Sequence, residues 1–325
     1  MSTTPLIFNP SDAGPYTVVG GGLLDKSVQD RPGLSIILLN RGNRQFRSDL
    51  FEELCKLGAY EVISLESAPC PYDVEPLVKR HERLRFMIFS RQSSDGARID
   101  AAMREALSSH VFVIRGDLSL SAAGISSRVF SKIAERGCLC TVPVFYDSSG
   151  ELLPTALYPA VINRTEFETA VVLPPEGQTS TLAPWDFCGI YRRKAHQALG
   201  GFDASIREPW WQKLDYGLRA WLWGEKIRTH SALKMEYVGS VPAEDASAGP
   251  GYRRFFLKNL GVHMRGGSAS LPLGSWRAYR RSSGDSASSA RAEWKEIQQW
   301  VRNNKLRFTC DVKALSAFWD WEEEV

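Results

Sequence analysis

The sequence lacks any apolar run approaching the ~20 residues that a membrane-spanning helix needs. Its longest, such as Leu34 to Leu39 and His110 to Ile114, are far shorter. The amino terminus, Met1 to Pro10, has neither the basic start nor the apolar stretch of a secretory signal, so a cytoplasmic chain is expected. Cysteine is sparse: Cys55, Cys70, Cys138, Cys140, Cys188 and Cys310 are the only six in 325 residues, and none forms the C-x-x-C spacing of a zinc site. Reduced, mostly buried thiols follow, with Cys138 and Cys140 two apart on a strand and therefore on one face. Excess charge of either sign is also missing. The 40 basic and 37 acidic residues leave +3, which points away from a nucleic-acid partner, whose binding calls for a concentrated basic face.

One local absence is informative. Between Asp245 and Asp285 there is no acidic residue, while Arg253, Arg254, Lys258, Arg265, Arg277, Arg280 and Arg281 are all basic. A solvated surface is the default interpretation of such a run, yet a diphosphate, a lipid-linked phosphate or an anionic membrane face would each use it. Tyr252, Phe255, Phe256, Trp276 and Tyr279 are interleaved with these charges, which fits peripheral membrane contact through residues 252–281.

What is present is a core and a regular alternation. With 43% hydrophobic residues the chain can bury a substantial core, and one core with an appendage is expected. Residues 1–33, rich in Pro, Gly and Asp, form an irregular extension with room for one hairpin. Gly20-Gly21-Gly22 is not a phosphate loop, because no Lys-Ser/Thr follows and no helix begins there. From Leu34 the periodicities give a strand to Asn40, a helix over 48–57, a strand over 61–65, a helix over 74–81, a strand over 84–89, a helix over 97–107 and a strand over 111–114. A helix over 123–136, a strand over 138–146 and a strand over 169–173 follow, and helical stripes appear again at Ala290, Trp294, Ile297 and Val301 and at Val312, Leu315 and Trp319. The pattern is that of an α/β fold, a mainly parallel sheet covered by helices on both faces, in which ligands bind at the carboxyl ends of the strands. Residues 34–245 form the α/β domain; 246–325 form a basic loop and a helical appendage.

Three segments in order resemble the family 2 glycosyltransferases of the GT-A fold: Leu34-Ser-Ile-Ile-Leu-Leu-Asn40-Arg41, His110-Val-Phe-Val-Ile-Arg115-Gly116-Asp117, and Gly200-Gly201-Phe202-Asp203 followed by Asp215-Tyr-Gly-Leu-Arg219. The resemblance implies a nucleotide-sugar donor and a glycan or glycoconjugate acceptor. It also implies a D-x-D motif whose carboxylates hold a divalent metal, manganese or magnesium, against the donor diphosphate. Here that motif reads Arg115-Gly116-Asp117, so Asp117 keeps the metal-side carboxylate and Arg115 either weakens metal binding or neutralises a phosphate itself. The family's Glu-Asp pair, whose Asp is the general base, corresponds to Gln212 and Lys213, which leaves Asp215 as the nearest catalytic carboxylate. The resemblance further assigns Asn40, Arg41, Glu66, Arg98 and Asp100 to the donor nucleotide.

Blander readings stand beside these. Asp117 can simply open a turn. Asp215 can serve the helix dipole and pair with Arg219 four residues on. Trp185, Trp210 and Trp211 can stack on a sugar or fill the core, and lone His263 is not counted as a metal ligand. Two functions therefore stay open: a transferase, and a non-catalytic relative that binds the same ligands or supports an active partner.

Overall fold

The computed structural model describes residues 13–25, 27–28, 30–41, 48–120, 126–162, 167–277, 287–317 and 319. Its strands are β1 (Tyr16–Gly20), β2 (Arg31–Leu39), β3 (Glu61–Ser67), β4 (Leu84–Phe89), β5 (Ser108–Arg115), β6 (Leu118–Leu120), β7 (Cys140–Tyr146), β8 (Ala156–Ile162), β9 (Phe167–Val172), β10 (Gly189–Arg192), β11 (Ile227–Tyr237), β12 (His263–Arg265) and β13 (Ser268–Ser270). The helices that matter here are α1 (Ser48–Lys56), α2 (Glu75–Arg80), α3 (Asp95–Glu105), α4 (Ser127–Glu135), α5 (Arg193–Leu199), α6 (Pro209–Leu222) and α7 (Pro250–Phe255).

A nine-stranded sheet of order β1-β4-β3-β2-β5-β10-β7-β11-β6 forms the centre. β2, β3, β4 and β5 are mutually parallel and β7 pairs in parallel with β11, whereas β1, β6 and β10 join antiparallel. The α/β alternation was legible because the inner stretches of β2, β3 and β5, residues 34–39, 62–65 and 111–114, are almost wholly apolar, as expected of strands buried on both faces. Helix starts follow local chemistry. The Ser94 hydroxyl accepts from Ala97 N at 3.3 Å to open α3, and Ser126 accepts from Val129 N at 3.2 Å to open α4.

The amino-terminal stretch is more ordered than its glycines suggest. Residues 16–20 form an edge strand whose partners run from Tyr16 opposite Phe89 to Gly20 opposite Arg85, and β2 begins at Arg31, so the expected boundary at residue 33 falls inside a strand. Thr17-Val18-Val19 supplies the β-branched residues, and Gly20, at φ 92°, closes the strand. Buried apolar side chains from Ala13 to Trp319 form one continuous cluster, which therefore takes in residues before 34 and after 245.

Helix α6 runs through this core with almost every residue buried, including Gln212, Lys213, Asp215 and Arg219. It approaches the 182–183 segment so closely that a Cβ on Gly217 would lie 2.0 Å from the Leu182 carbonyl oxygen and 2.8 Å from Ala183 Cα. Gly217→Ala is therefore expected to destabilise the fold by about 1–3 kcal/mol, the usual cost of overpacking, read as a lower urea midpoint with unchanged slope.

Two members of the basic run after Asp245, Arg254 and Lys258, find anions within the protein. Arg254 donates to Asp203 at 2.7 Å and to Glu296 at 2.9 Å, and Lys258 donates to Asp203 at 2.8 Å and to Asp215 at 2.9 Å. Phe255 and Phe256 are buried, and Tyr252 packs its ring 4.7 Å from that of Trp211. Phe255 and Phe256 are thus committed to the core and unavailable to a lipid interface, and peripheral membrane contact through the described part of 252–281 is not supported. Tyr279, Arg280 and Arg281 lie outside the described residues, and no described helix is long and apolar enough to cross a membrane.

Candidate functional site

The carboxyl ends of β2, β3 and β5 bring together most of the expected donor-side residues. Asn40 follows β2 and donates from Nδ2 to Glu66 Oε1 at 2.6 Å; the same oxygen accepts from Ser64 Oγ at 2.6 Å and Tyr72 OH at 2.7 Å. Burial, then the Glu66 charge, pushes the Tyr72 phenol far above its ordinary range, so Tyr72 stays a donor. At Gly116, in the turn after β5, a Cβ would meet Asn40 Oδ1 at 2.6 Å, so any larger residue there would displace that amide. Asp117 follows, and Arg41 Nε donates to its Oδ2 at 3.1 Å.

The centre of the cluster is a residue that the sequence reading missed. Asp186, in the short turn Trp185–Phe187, accepts from Arg41, from Arg115 Nε at 3.1 Å and from Tyr237 OH at 3.2 Å, while Trp185 Nε1 donates to Tyr237 OH at 3.2 Å. Asp186 and Phe187 both adopt the left-handed region, at φ 50° and 63°. Such conformations cost on the order of 1–3 kcal/mol each and persist where surrounding contacts over-determine them, commonly at ligand sites. The local sequence Pro184-Trp-Asp-Phe-Cys188 carries no turn glycine that could have announced this geometry.

Arg115, at the first position of the expected metal motif, is turned inward. It is 3% exposed and donates to Asp186 and, at 2.7 Å, to Asp95 at the start of α3. Burial works against its charge, but the Asp186 and Asp95 carboxylates outweigh burial and hold the guanidinium protonated. Arg98 lies on the same side, 5.0 Å above the Phe89 ring, with burial lowering its pKa against the pull of Asp95 and Glu66.

Two expected site residues lie elsewhere. Asp100 accepts from Phe202 N at 2.9 Å and lies 2.8 Å from His196 Nε2, and it sits so close under Gly201 that a Cβ there would be 2.5 Å from its carboxylate. It supports the Gly200-Gly201-Phe202 turn rather than a nucleotide. Asp215, the expected catalytic carboxylate, has no exposed surface and is held by Arg219 at 3.2 Å, Lys258 at 2.9 Å and Asn259 at 2.9 Å. A group saturated in this way has no route to an acceptor hydroxyl, and the reading that pairs it with Arg219 is the one the geometry supports.

Gln212 and Lys213 have their own partners. Gln212 ties α6 to α3, accepting from Gly96 N at 3.0 Å and donating to Ser94 Oγ at 2.9 Å. Lys213, 1% exposed, places its Nζ 5.3 Å from the Trp185 and Trp210 ring centres and 5.9 Å from that of Phe187, and it is paired with Glu244 from the segment after β11. The three tryptophans proposed as stacking surfaces are thus buried; two of them wall this ammonium.

A divalent metal fits these residues poorly. Asp117 Oδ2 and Asp186 Oδ2 already receive the Arg41 guanidinium, Arg115 takes the other Asp186 oxygen, and no group of three or more His, Cys, Asp or Glu among the described residues is arranged to hold an ion.

Similarity to known proteins appears at the level of structure. No family profile matches the chain, and no curated protein is similar to it in sequence. The structure of GalNAc-T7 with UDP, GalNAc and Mn2+ superimposes with a TM-score of 0.56 at 10% identity over 90% of this chain, which spans 56% of that protein's length. S. aureus TarS, residues 1–349 in complex with UDP-GlcNAc, superimposes with a TM-score of 0.50 at 12% identity, covering 82% of this chain and 71% of the other. At such identities the likeness establishes the fold.

Proposed function

Because the chain has the GT-A glycosyltransferase fold, we propose that it binds a nucleotide-sugar donor where β2, β3 and β5 end and transfers the sugar to a hydroxyl of a glycan or glycoconjugate. The observation that carries this reading is the convergence of Asn40, Arg41, Glu66, Arg98 and Asp117 at one end of the parallel strands, where ligands of open α/β sheets bind. Glu66 and Tyr72 offer hydrogen-bonding groups for a base or ribose, and Arg41, 32% exposed at its side chain, is the cation placed to meet a diphosphate. On the acceptor side the family's base position holds Lys213, and Glu244 beside it is the carboxylate left to accept a proton.

A second reading, a binding module without turnover, is favoured by that same pair: Glu244 is already engaged in an ion pair with Lys213, the residue that stands at the family's base position. The test is a panel of UDP-, GDP- and dTDP-sugars, assayed for binding by calorimetry and for donor consumption with and without glycan acceptors. Binding with consumption supports the transferase; binding without consumption under any condition selects the module. Binding of none of them removes both.

A further inference from the structure

We propose that Arg41 acts as a built-in cation in place of a divalent metal, bridging Asp117 and Asp186 from within the chain and presenting its remaining N–H donors to the donor diphosphate. This deepens the donor-site reading and rests on it. Asp117 and Asp186 are 0% and 7% exposed at their side chains, whereas Arg41 is 32% exposed, so Arg41 is the member of this trio that reaches solvent. It donates to one oxygen of each, as a planar fork does when it bridges two anions.

The neighbouring cation does not compete for this role. Arg115 is buried and spends its donors on Asp186 and Asp95. The local balance explains why the arrangement resists a metal. Arg41 and Arg115 face Asp95, Asp117 and Asp186, leaving one carboxylate in excess. With Arg41 in place, a dication finds Asp117 Oδ2 and Asp186 Oδ2 already engaged. Without it two carboxylates are in excess and unbridged, a donor set that attracts a hard cation. Since the cluster is not net positive, affinity for a diphosphate depends on directed hydrogen bonds from Arg41 rather than on a general field.

The experiment compares the 325-residue chain with its Arg41→Gln variant. Manganese binding is followed by electron paramagnetic resonance without nucleotide, and binding of UDP and of inorganic diphosphate is followed by calorimetry in EDTA and in manganese. The wild type is expected to show no stoichiometric manganese site and the same UDP affinity in both buffers. Arg41→Gln is expected to gain manganese binding and, in EDTA, to lose about 10- to 100-fold in UDP and diphosphate affinity, the worth of one or two charged hydrogen bonds. Stoichiometric manganese binding by the wild type, UDP binding that requires manganese, or an Arg41→Gln variant unchanged in both measurements overturns the proposal. If the wild type binds no UDP, the donor-site reading fails and the diphosphate role of Arg41 fails with it, while the manganese measurements still decide whether Arg41 occupies a metal's place. Should Arg41→Gln not fold, Arg41→Lys keeps the charge and must remain insensitive to manganese.

Discussion

Asp215→Ala is expected to lower the unfolding free energy by about 3–5 kcal/mol, the range for breaking a buried ion pair from one side. The carboxylate receives Arg219, Lys258 and Asn259, all buried, and its removal takes a carboxylate partner from both buried cations. Lys258 and Asn259 reach the same carboxylate from adjacent positions because Phe256–Leu260 is wound as a π-helical turn, the kind of local widening that re-aims side chains. Urea unfolding measures the loss; Asp215→Asn, which keeps an acceptor for Asn259 and Lys258, is expected to lose less. If Asp215 were instead a catalytic base, alanine would abolish turnover and leave the urea midpoint in place.

The same cluster fixes an acid limit. Burial tends to raise the Asp203 pKa, but Lys258 and Arg254 outweigh it and hold the carboxyl well below its ordinary value of 3.8. A depressed folded pKa gives stability that is fully present above the ordinary aspartate range and is lost as pH falls below it towards the folded value. Stability should therefore decline steeply below about pH 4, and less steeply when Lys258 is replaced by methionine.

Asp186→Ala is the second large effect, again about 3–5 kcal/mol, because buried Arg115 loses one of its two carboxylates. Alanine also tolerates φ 50° less well than aspartate, which adds to the cost. Asp186→Asn keeps both the tolerance and an acceptor, so its loss should be smaller. In nucleotide titrations both variants release the Arg41 fork from one of its anchors, and UDP affinity is expected to fall more in alanine than in asparagine. Unchanged stability in Asp186→Ala would mean that Asp95 alone satisfies Arg115.

The sequence made much of the frame legible. Leu34 to Leu39, Val62 to Leu65 and Val111 to Ile114 are apolar runs that only doubly covered strands require, and they carry Asn40, Glu66 and Asp117 to one end of the sheet. Among the strands that escaped were β1, hidden beside glycines, and β10 and β11, whose places are set by pairing with β5 and β7 across long stretches of chain. Asp186 escaped for a similar reason: its turn is held by Arg41, Arg115 and Tyr237, the first of them 145 positions away.

By itself the sequence determined the α/β alternation, the order of the three resemblance segments and the shortage of acids after Asp245, since each is a property of neighbours along the chain. It left open whether the basic run faces solvent or an anion. Only the tertiary structure decided that Asp203, Asp215 and Glu296 are partners of Arg254 and Lys258, that Arg115 turns inward and that Arg41 bridges Asp117 to Asp186. The physical reason is that a charge taken out of water needs a partner within a few ångströms. Which partner comes that close is settled by how strands and helices pack, not by their separation in sequence.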